Sequence, residues 1–317
     1  TENLKRLFAC REVEMRQTVC FFSLVCALLG AWLVPSQHAV AAGAPERPRA
    51  ASAAGKNLHL GIVPFYSAPA LLRVHRALRD YLSRMLGMDI IVYSARNHER
   101  FLENALSGQY DIVISPAHFL SMLADGGFTP LVRYRNPFEV LLVVRKDSAI
   151  ETVADLRGRR IGLPDRLSFY HVLGMKWLNS LDLRPGEDYV LKEQASHMAM
   201  LLAVDAGQID VAVTARPILS LLDQNLRAHF RALDIGHPVL PSLTTLVRGD
   251  LGGAEIKRLR AALEAFPQSQ EGRRFFADSG YGGYVPATAG DVEAARHYEP
   301  LVRRLLTPAR EPGAETR

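Results

Sequence analysis

The chain has 317 residues, of which 48% are hydrophobic and 22% are charged, and its formal net charge is +5. This length allows two compact domains, and the composition is that of an ordinary globular protein. Because the arginines are spread along the chain and the charge excess is small, the sequence gives no basis for nucleic-acid binding.

The N-terminal 42 residues have the layout of an export signal. Met15 and Arg16 precede an apolar run from Val19 to Val34, and Ala39-Val40-Ala41 offers a small-x-small cleavage site. The run is shorter than the ~20 residues that span a bilayer, which favours a cleaved signal peptide over a retained anchor. We therefore expect a periplasmic protein cleaved near Ala41-Ala42, with residues 1–14 upstream of the true start.

All three cysteines, Cys10, Cys20 and Cys26, lie in or before this apolar run. Val25 is large for the position before a lipidated cysteine, so a lipoprotein anchor is not expected. The mature chain then has no disulfide, thiolate metal site or cysteine nucleophile, and we expect neither a metal nor a cofactor. Residues 43–56 are rich in Ala, Pro, Arg, Gly and Ser and predict a flexible leader.

From Leu58 onward, short apolar runs alternate with amphipathic segments, which is typical of an α/β fold. The strands predicted first are Leu58–Val63, Asp89–Tyr93, Tyr110–Ile114, Val140–Val144 and Leu243–Val247. Apolar residues at helical spacing predict helices over 71–85, 98–106, 173–181, 253–265, 269–278 and 290–305.

Two parts of the chain carry the same motifs in the same order. The stretch from Ser107 to Ser115 (SGQYDIVIS) corresponds to the stretch from Ala206 to Thr214 (AGQIDVAVT). Asn97-His98 and Ser196-His197 stand at equal distances before them. The repetition predicts two similar lobes, the first formed by 57–142 with 240–317 and the second by 143–239. Two crossings between lobes would form a hinge that allows closure around a ligand.

Helix starts at the carboxyl ends of strands offer unpaired N–H groups and partial positive charge. Hydroxyl or imidazole groups stand at such starts at Ser67, Ser115, Ser168, Ser196, His197 and Thr214. Taken singly, such residues are better explained as helix caps. If both lobes present them to one cleft, they form a site for a small oxyanion, with His197 as a donor. His98 is expected to cap a helix outside the cleft.

Aromatic residues near these helix starts suggest a wall around a small organic group, and they are Tyr66, Tyr134, Phe169 and Tyr170. The signals of catalysis are missing. The sequence has no G-x-S-x-G elbow and no H-E-x-x-H motif, and no pair of carboxylates stands out at a useful spacing. The sequence therefore favours a binding protein over an enzyme.

The chain from Leu58 to Pro286 resembles the substrate-binding proteins of phosphate/phosphite/phosphonate ABC transporters. The similar stretches are Ser107–Asp111 leading to Ser115–Phe119, Val144–Ser148 with Ala154–Arg160, Ser196-His197 with Gly207–Asp210, and Gly282–Pro286. The second of these also occurs in related binding families and so indicates the fold more than the ligand.

The resemblance implies a two-lobed type II periplasmic-binding fold, with a mixed sheet flanked by helices in each lobe. It implies delivery of a phosphonate, phosphite or phosphate-like ligand to a membrane permease, by a protein expected to be a monomer. Phosphonyl oxygens would be held at Ser168 and Ser196-His197. The turns at Tyr66 and Phe119 would close over them.

The chain also departs from the family pattern. Arg166-Leu167-Ser168-Phe169-Tyr170 stands where many members have S-T-S-G-Y, and Thr214 stands where many have Asp. An aminoalkylphosphonate is therefore less favoured than a simpler oxyanion. The alternative function is a periplasmic sensor that partners a membrane histidine kinase, although arsenite capture through a thiol is excluded. An enzyme on the same fold is disfavoured, because such enzymes are cytoplasmic.

Overall fold

The structure is a computed structural model, and it describes residues 57–233 and 239–306. The predicted signal peptide, its cleavage site, the three cysteines and the leader over 43–56 lie outside the described residues. Within the described ranges, none of the helices combines the length and the apolar character needed to cross a membrane.

The strands alternate with helices along most of the chain. The strands are β1 (Leu58–Ile62), β2 (Ile90–Tyr93), β3 (Ile112–Ser115), β4 (Phe128–Tyr134), β5 (Phe138–Arg145), β6 (Arg160–Leu163), β7 (Val190–Glu193), β8 (Val211–Ala215), β9 (Phe230–Ala232), β10 (Val239–Leu240), β11 (Thr244–Arg248) and β12 (Tyr284–Pro286). The α-helices are α1 (Ala68–Leu86), α2 (His98–Leu106), α3 (Leu120–Asp125), α4 (Phe169–Ser180), α5 (His197–Asp205), α6 (Arg216–Ser220), α7 (Gln224–Arg227), α8 (Gly253–Ala265), α9 (Gln270–Ser279), α10 (Ala289–Ala295) and α11 (Glu299–Leu306).

The strands form two mixed sheets, one in each lobe. The first has the order β12-β4-β11-β3-β1-β2, and the second has the order β10-β5-β8-β6-β7 with β9 paired to β5. In the first sheet β1 runs parallel to β2 and β3, while β11 is antiparallel to β3. The second sheet repeats this arrangement with β6, β7, β8 and β5. The predicted two-lobed fold with a mixed sheet in each lobe is confirmed.

The repeated sequence motif produces the same local structure in both lobes. The Asp111 carboxylate accepts a hydrogen bond of 2.8 Å from the His59 backbone N–H, and Asp210 accepts one of 2.7 Å from that of Arg160. Each bond ties the segment that leads into a third strand to the first strand of its lobe. Gly108 and its counterpart Gly207 both have positive φ, 77° and 69°, a conformation that glycine adopts without strain.

The chain crosses between the sheets twice. It leaves the first sheet after β4 and returns to it at β11, so the crossings lie at 135–137 and 241–243. The first crossing is earlier than the predicted boundary between residues 142 and 143. All of β5 belongs to the second sheet because it pairs with β8, β9 and β10. Strand β4 was not predicted, because Pro130 interrupts a short run that follows Gly126-Gly127.

The amphipathic pattern of α1 shows how helices cover the sheets. Leu71, Leu78 and Leu82 recur at helical spacing and are almost fully buried, while Arg76 lies on the exposed side. Gly87 ends the helix in the left-handed conformation and donates its N–H to the Ser83 carbonyl. Because α1 follows β1 directly in the chain, its N-terminus lies at the carboxyl end of β1, at the edge of the sheet where the lobes meet.

Candidate functional site

The loops at the carboxyl ends of the parallel strands bring the two lobes into contact. In the first lobe these loops follow β1, β2 and β3, and in the second they follow β6, β7 and β8. The Asp165–Tyr170 segment, which leads into α4, lies against the first lobe. Within it the Leu167 carbonyl lies 2.8 Å from His118 Nε2, and the Tyr170 ring lies 5.6 Å from the Phe65 ring.

A small cavity of about 20 Å³ lies in this contact region. It is lined by Val63, Phe65, His98, Pro116, Ser168, Phe169, Tyr170, Pro241 and Leu243. Both lobes and the second crossing segment therefore contribute to its wall. The lining is mostly apolar, and the volume accommodates about one water molecule. A ligand larger than water therefore needs more space between the lobes than this cavity provides, both to enter and to be held.

Ser168 and Ser196 occupy equivalent cap positions but use their hydroxyl groups differently. Ser196 Oγ accepts a hydrogen bond of 3.1 Å from the Ala199 N–H and so caps its own helix. Ser168 makes no side-chain cap bond, is 1% exposed and lines the cavity. Its hydroxyl and the first N–H groups of α4 remain available to an anion.

His197 is buried directly behind the cavity wall. Its ring contacts the rings of Phe65 and Tyr170, both of which line the cavity, at centroid distances of 5.2 and 5.0 Å. Nδ1 lies 3.1 Å from Thr214 Oγ1, and Nε2 has no hydrogen-bond partner among the described residues. Burial lowers the pKa of His197 to about 3, so the imidazole is neutral at physiological pH.

The predicted aromatic residues fall into two groups. Phe169 and Tyr170 line the cavity. Tyr66 lies beside it, with its ring 4.9 Å from that of the lining residue Phe65 and its hydroxyl 2.7 Å from that of Tyr281. Burial raises the pKa of Tyr66 to about 12, so it remains a neutral hydrogen-bonding group. Tyr134 is different, because it is fully buried in the first lobe and stacks on Tyr281 at 4.2 Å.

Three other predicted site residues do not line the cavity. Ser67 caps α1 by position but is exposed and makes no side-chain cap bond. Ser115 is fully buried, and its Oγ lies 3.4 Å from the Pro116 carbonyl. Phe119 is also fully buried, and its ring packs 4.1 Å from that of His118. The structure therefore groups Ser168, Phe169, Tyr170 and, one layer behind them, His197.

Sequence reasoning missed three participants in this region. The expectation that His98 lies outside the cleft is wrong, since it lines the cavity with its Nδ1 3.5 Å from Asp165 Oδ1. His118 contacts Leu167 and stacks on Phe169 at 4.7 Å. Phe65 packs against both Tyr170 and His197. The only signal was the proximity of these residues to strand ends, because each contact joins distant parts of the chain.

The groups that line the cavity offer an anion neutral dipoles and no charged side chain. Among the described residues that line it, none is Lys, Arg, Asp or Glu. Binding would rely on the N–H groups of α4, the Ser168 hydroxyl and the partial charge of the helix N-terminus. Within 57–233 and 239–306, no group of three or more His, Cys, Asp or Glu residues is arranged to hold a metal ion.

A protein-family model matches residues 60–292, and its description is "ABC transporter, phosphonate, periplasmic substrate-binding protein". This match covers more than half of the chain, including all strands but the first two residues of β1, and every residue that lines the cavity. No curated protein matches the sequence significantly.

Several solved structures share the fold at low sequence identity. A binding protein component of an ABC phosphonate transporter from Pseudomonas aeruginosa has a TM-score of 0.69 and 18% identity, over 79% of this chain and 87% of that chain. PhnD1 from Prochlorococcus marinus, in complex with methylphosphonate, has a TM-score of 0.69 and 14% identity, over 78% of this chain and 99% of that chain. A Xanthomonas citri protein bound to chloride ion has a TM-score of 0.60 and 19% identity, over 78% of this chain and 98% of that chain.

Proposed function

The chain belongs to the family of periplasmic substrate-binding proteins of phosphonate ABC transporters, and from this premise we propose that it captures a small phosphorus oxyanion between its lobes and delivers it to a membrane permease. The family consists of binding proteins, not enzymes. The expected ligands are phosphite, a simple phosphonate such as methylphosphonate, or phosphate itself. The predicted signal peptide would export the chain to the periplasm, where such a ligand is collected.

The observation that carries this proposal is the position of Ser168. It stands at the N-terminus of α4, in the wall of a cavity that both lobes form, and its hydroxyl is not used to cap the helix. A helix N-terminus favours negative charge, and hydrogen bonds to charged groups are stronger than those between neutral groups. Together with buried, neutral His197 close behind, this arrangement suits an oxyanion without a cationic clamp.

The apolar lining supports a ligand whose substituent is small and uncharged. An aminoalkyl group would bring an ammonium ion beside Val63, Phe65 and Leu243, where burial of an unpaired charge is costly. Asp165, which contacts the lining residue His98, is already engaged. Its Oδ1 accepts a hydrogen bond of 2.9 Å from the Leu167 N–H. Burial acts to raise the pKa of Asp165, but the His98 side chain and the backbone N–H groups of Leu167 and His98 together lower that pKa below its ordinary value.

We expect the full chain to be stabilised by phosphite, methylphosphonate or phosphate in a thermal-unfolding titration. A ligand at ~100 times its dissociation constant stabilises the folded state by ~2.7 kcal/mol, because it binds the folded state alone. Sulfate and acetate test for non-specific anion effects. 2-Aminoethylphosphonate tests the apolar lining, because its ammonium group would be buried there without a partner, and it should stabilise the protein less than methylphosphonate does. Stabilisation by none of the phosphorus oxyanions would contradict the proposed function.

Ser168→Ala is expected to weaken binding of the preferred oxyanion about 10- to 100-fold, since a hydrogen bond to a charged group contributes ~1.5–3 kcal/mol. The matched control is Ser180→Ala at the other end of α4, where the exposed hydroxyl bonds only to the Trp177 carbonyl. Titration calorimetry measures both. Equal affinities of wild type, Ser168→Ala and Ser180→Ala would remove Ser168 from the site.

A further inference from the structure

Six consecutive residues, Asp165 to Tyr170, form the contact between α4 and the first lobe. Five of them contact the first lobe, and the sixth, Ser168, lines the cavity. Asp165 lies 3.5 Å from His98, and Arg166 lies 3.4 Å from Glu99. The Phe169 ring also meets the Tyr298 ring edge-on at 5.0 Å. Ser168 is therefore held in place by contacts on both sides of it.

The central contact of this segment is the hydrogen bond between His118 and Leu167. A carbonyl oxygen only accepts, so His118 Nε2 carries the proton and donates it to the Leu167 oxygen over 2.8 Å. The imidazole is fully buried and stacks almost parallel on Phe169, with an interplanar angle of 18°. His118 thus holds both neighbours of Ser168, one through a hydrogen bond and the other through its ring.

The environment of His118 makes this contact suited to a closed state. Burial lowers the pKa of His118 to about 3, so the ring remains neutral and keeps one proton for the donated bond. Separation of the lobes would expose the Leu167 carbonyl to water and remove the stacked face of the imidazole. The exposed Arg166–Glu99 pair spans the same two lobes, but solvent screening makes such pairs weak.

On the basis of the proposed function, we propose that His118 is a positioning residue that holds the Asp165–Tyr170 segment against the first lobe in the closed state and so places Ser168 on the ligand. His118 does not line the cavity and needs no contact with the ligand. Its contribution is to the lifetime of the closed complex.

His118→Phe tests this directly, because phenylalanine keeps a ring against Phe169 but has no hydrogen to donate to Leu167. We expect methylphosphonate, or phosphite if that binds more tightly, to dissociate about tenfold faster from His118→Phe, with little change in the association rate. His118→Gln restores a side-chain N–H donor and should recover part of the loss. Arg166→Ala is the control that removes the exposed pair between the same lobes, and it should change the dissociation rate less than twofold.

A spectroscopic distance between the lobes gives a readout that mere destabilisation does not move. Spin labels at Arg96→Cys and Lys176→Cys, both exposed and on different lobes, would be placed in the full chain with its three native cysteines changed to serine. His118→Phe should populate longer distances than the wild type, with and without ligand. An unchanged distance distribution together with an unchanged dissociation rate would overturn the proposal. If the wild type binds no phosphorus oxyanion, the proposed function fails, and the ligand-free distances still decide on His118.

Discussion

Lowering the pH from 7 to 5 is expected to reduce the free energy of unfolding by about 6 kcal/mol. Three buried histidines cause this effect, since burial lowers the pKa of His75 to about 4 and those of His118 and His197 to about 3. In the unfolded chain each histidine titrates near its ordinary value of 6.5. The unfolded state therefore binds more protons as the pH falls, and each histidine costs about 2 kcal/mol at pH 5.

The pH window distinguishes this effect from the acid unfolding that carboxylates cause, although both reduce the free energy of unfolding as the pH falls. The histidine contribution is present above pH 6.5 and is lost as the pH falls, towards 4 for His75 and towards 3 for His118 and His197. Carboxylates act later. Arg160 lowers the pKa of Asp210 below its ordinary value of 3.8, so the stability from that pair is lost only below that pH.

Urea unfolding at a series of pH values measures the effect, and His75→Leu provides the separate check. His75 lies in α1 away from the cavity, and its Nε2 has no hydrogen-bond partner among the described residues. Its replacement should reduce the pH 7 to pH 5 difference by about one third without changing ligand affinity at pH 7. A free energy of unfolding that stays constant from pH 7 to pH 5 would contradict the burial of neutral histidines.

Tyr134→Ala is expected to destabilise the protein by about 4 kcal/mol, the next largest effect. The ring is fully buried and stacks between Tyr281 at 4.2 Å and Tyr284 at 5.2 Å. Truncation would leave a cavity inside this stack and remove support from Tyr281, whose hydroxyl contacts that of Tyr66 beside the ligand cavity. A weaker affinity for the preferred oxyanion should therefore accompany the loss of stability.

Two control variants test whether the loss of stability in Tyr134→Ala comes from the buried aromatic stack. Tyr134→Phe keeps the stacked ring and should change the free energy of unfolding by no more than about 1 kcal/mol. Tyr93→Ala removes a tyrosine that is 41% exposed in β2, and it should also cost about 1 kcal/mol or less. Chemical unfolding compares all three. If Tyr134→Ala proved as mild as Tyr93→Ala, the stack would not support the first lobe as described.

Much of the fold is predictable because it depends on local periodicity. Helices over 98–106 and 253–265 were predicted with the bounds that α2 and α8 have in the structure, since their ends carry Asn97 and glycine signals. The repeated Gly-Gln-x-Asp motif predicted the matching halves for the same reason. Strand β4 was not predictable, because a short apolar run that contains Pro130 has the sequence pattern of a loop. In the structure β4 pairs antiparallel with β11 and β12, and Pro130 lies near a register shift in the pairing with β11.

The candidate site was less predictable because it depends on contacts between distant residues. Ser168 and Ser196 look alike as helix starts, and only the geometry shows that Ala199 occupies one hydroxyl while the other faces a cavity. His98 and Asp165 are 67 residues apart, so no local pattern joins them. The His118–Leu167 bond likewise depends on how the lobes close. The sequence therefore indicates which residues can lie at a cleft. Which of them face the cavity and which make hydrogen bonds elsewhere depends on tertiary packing.

A crystal structure of the full chain with methylphosphonate tests the central claim most directly. We predict the phosphonate group at the N-terminus of α4, with an oxygen within hydrogen-bond distance of Ser168 Oγ and the methyl group against the apolar wall formed by Phe65 and Tyr170. The His118–Leu167 bond should be present in that complex. A phosphonate bound away from the contact between the lobes, or a cleft that stays without ligand at saturating concentration, would contradict the account.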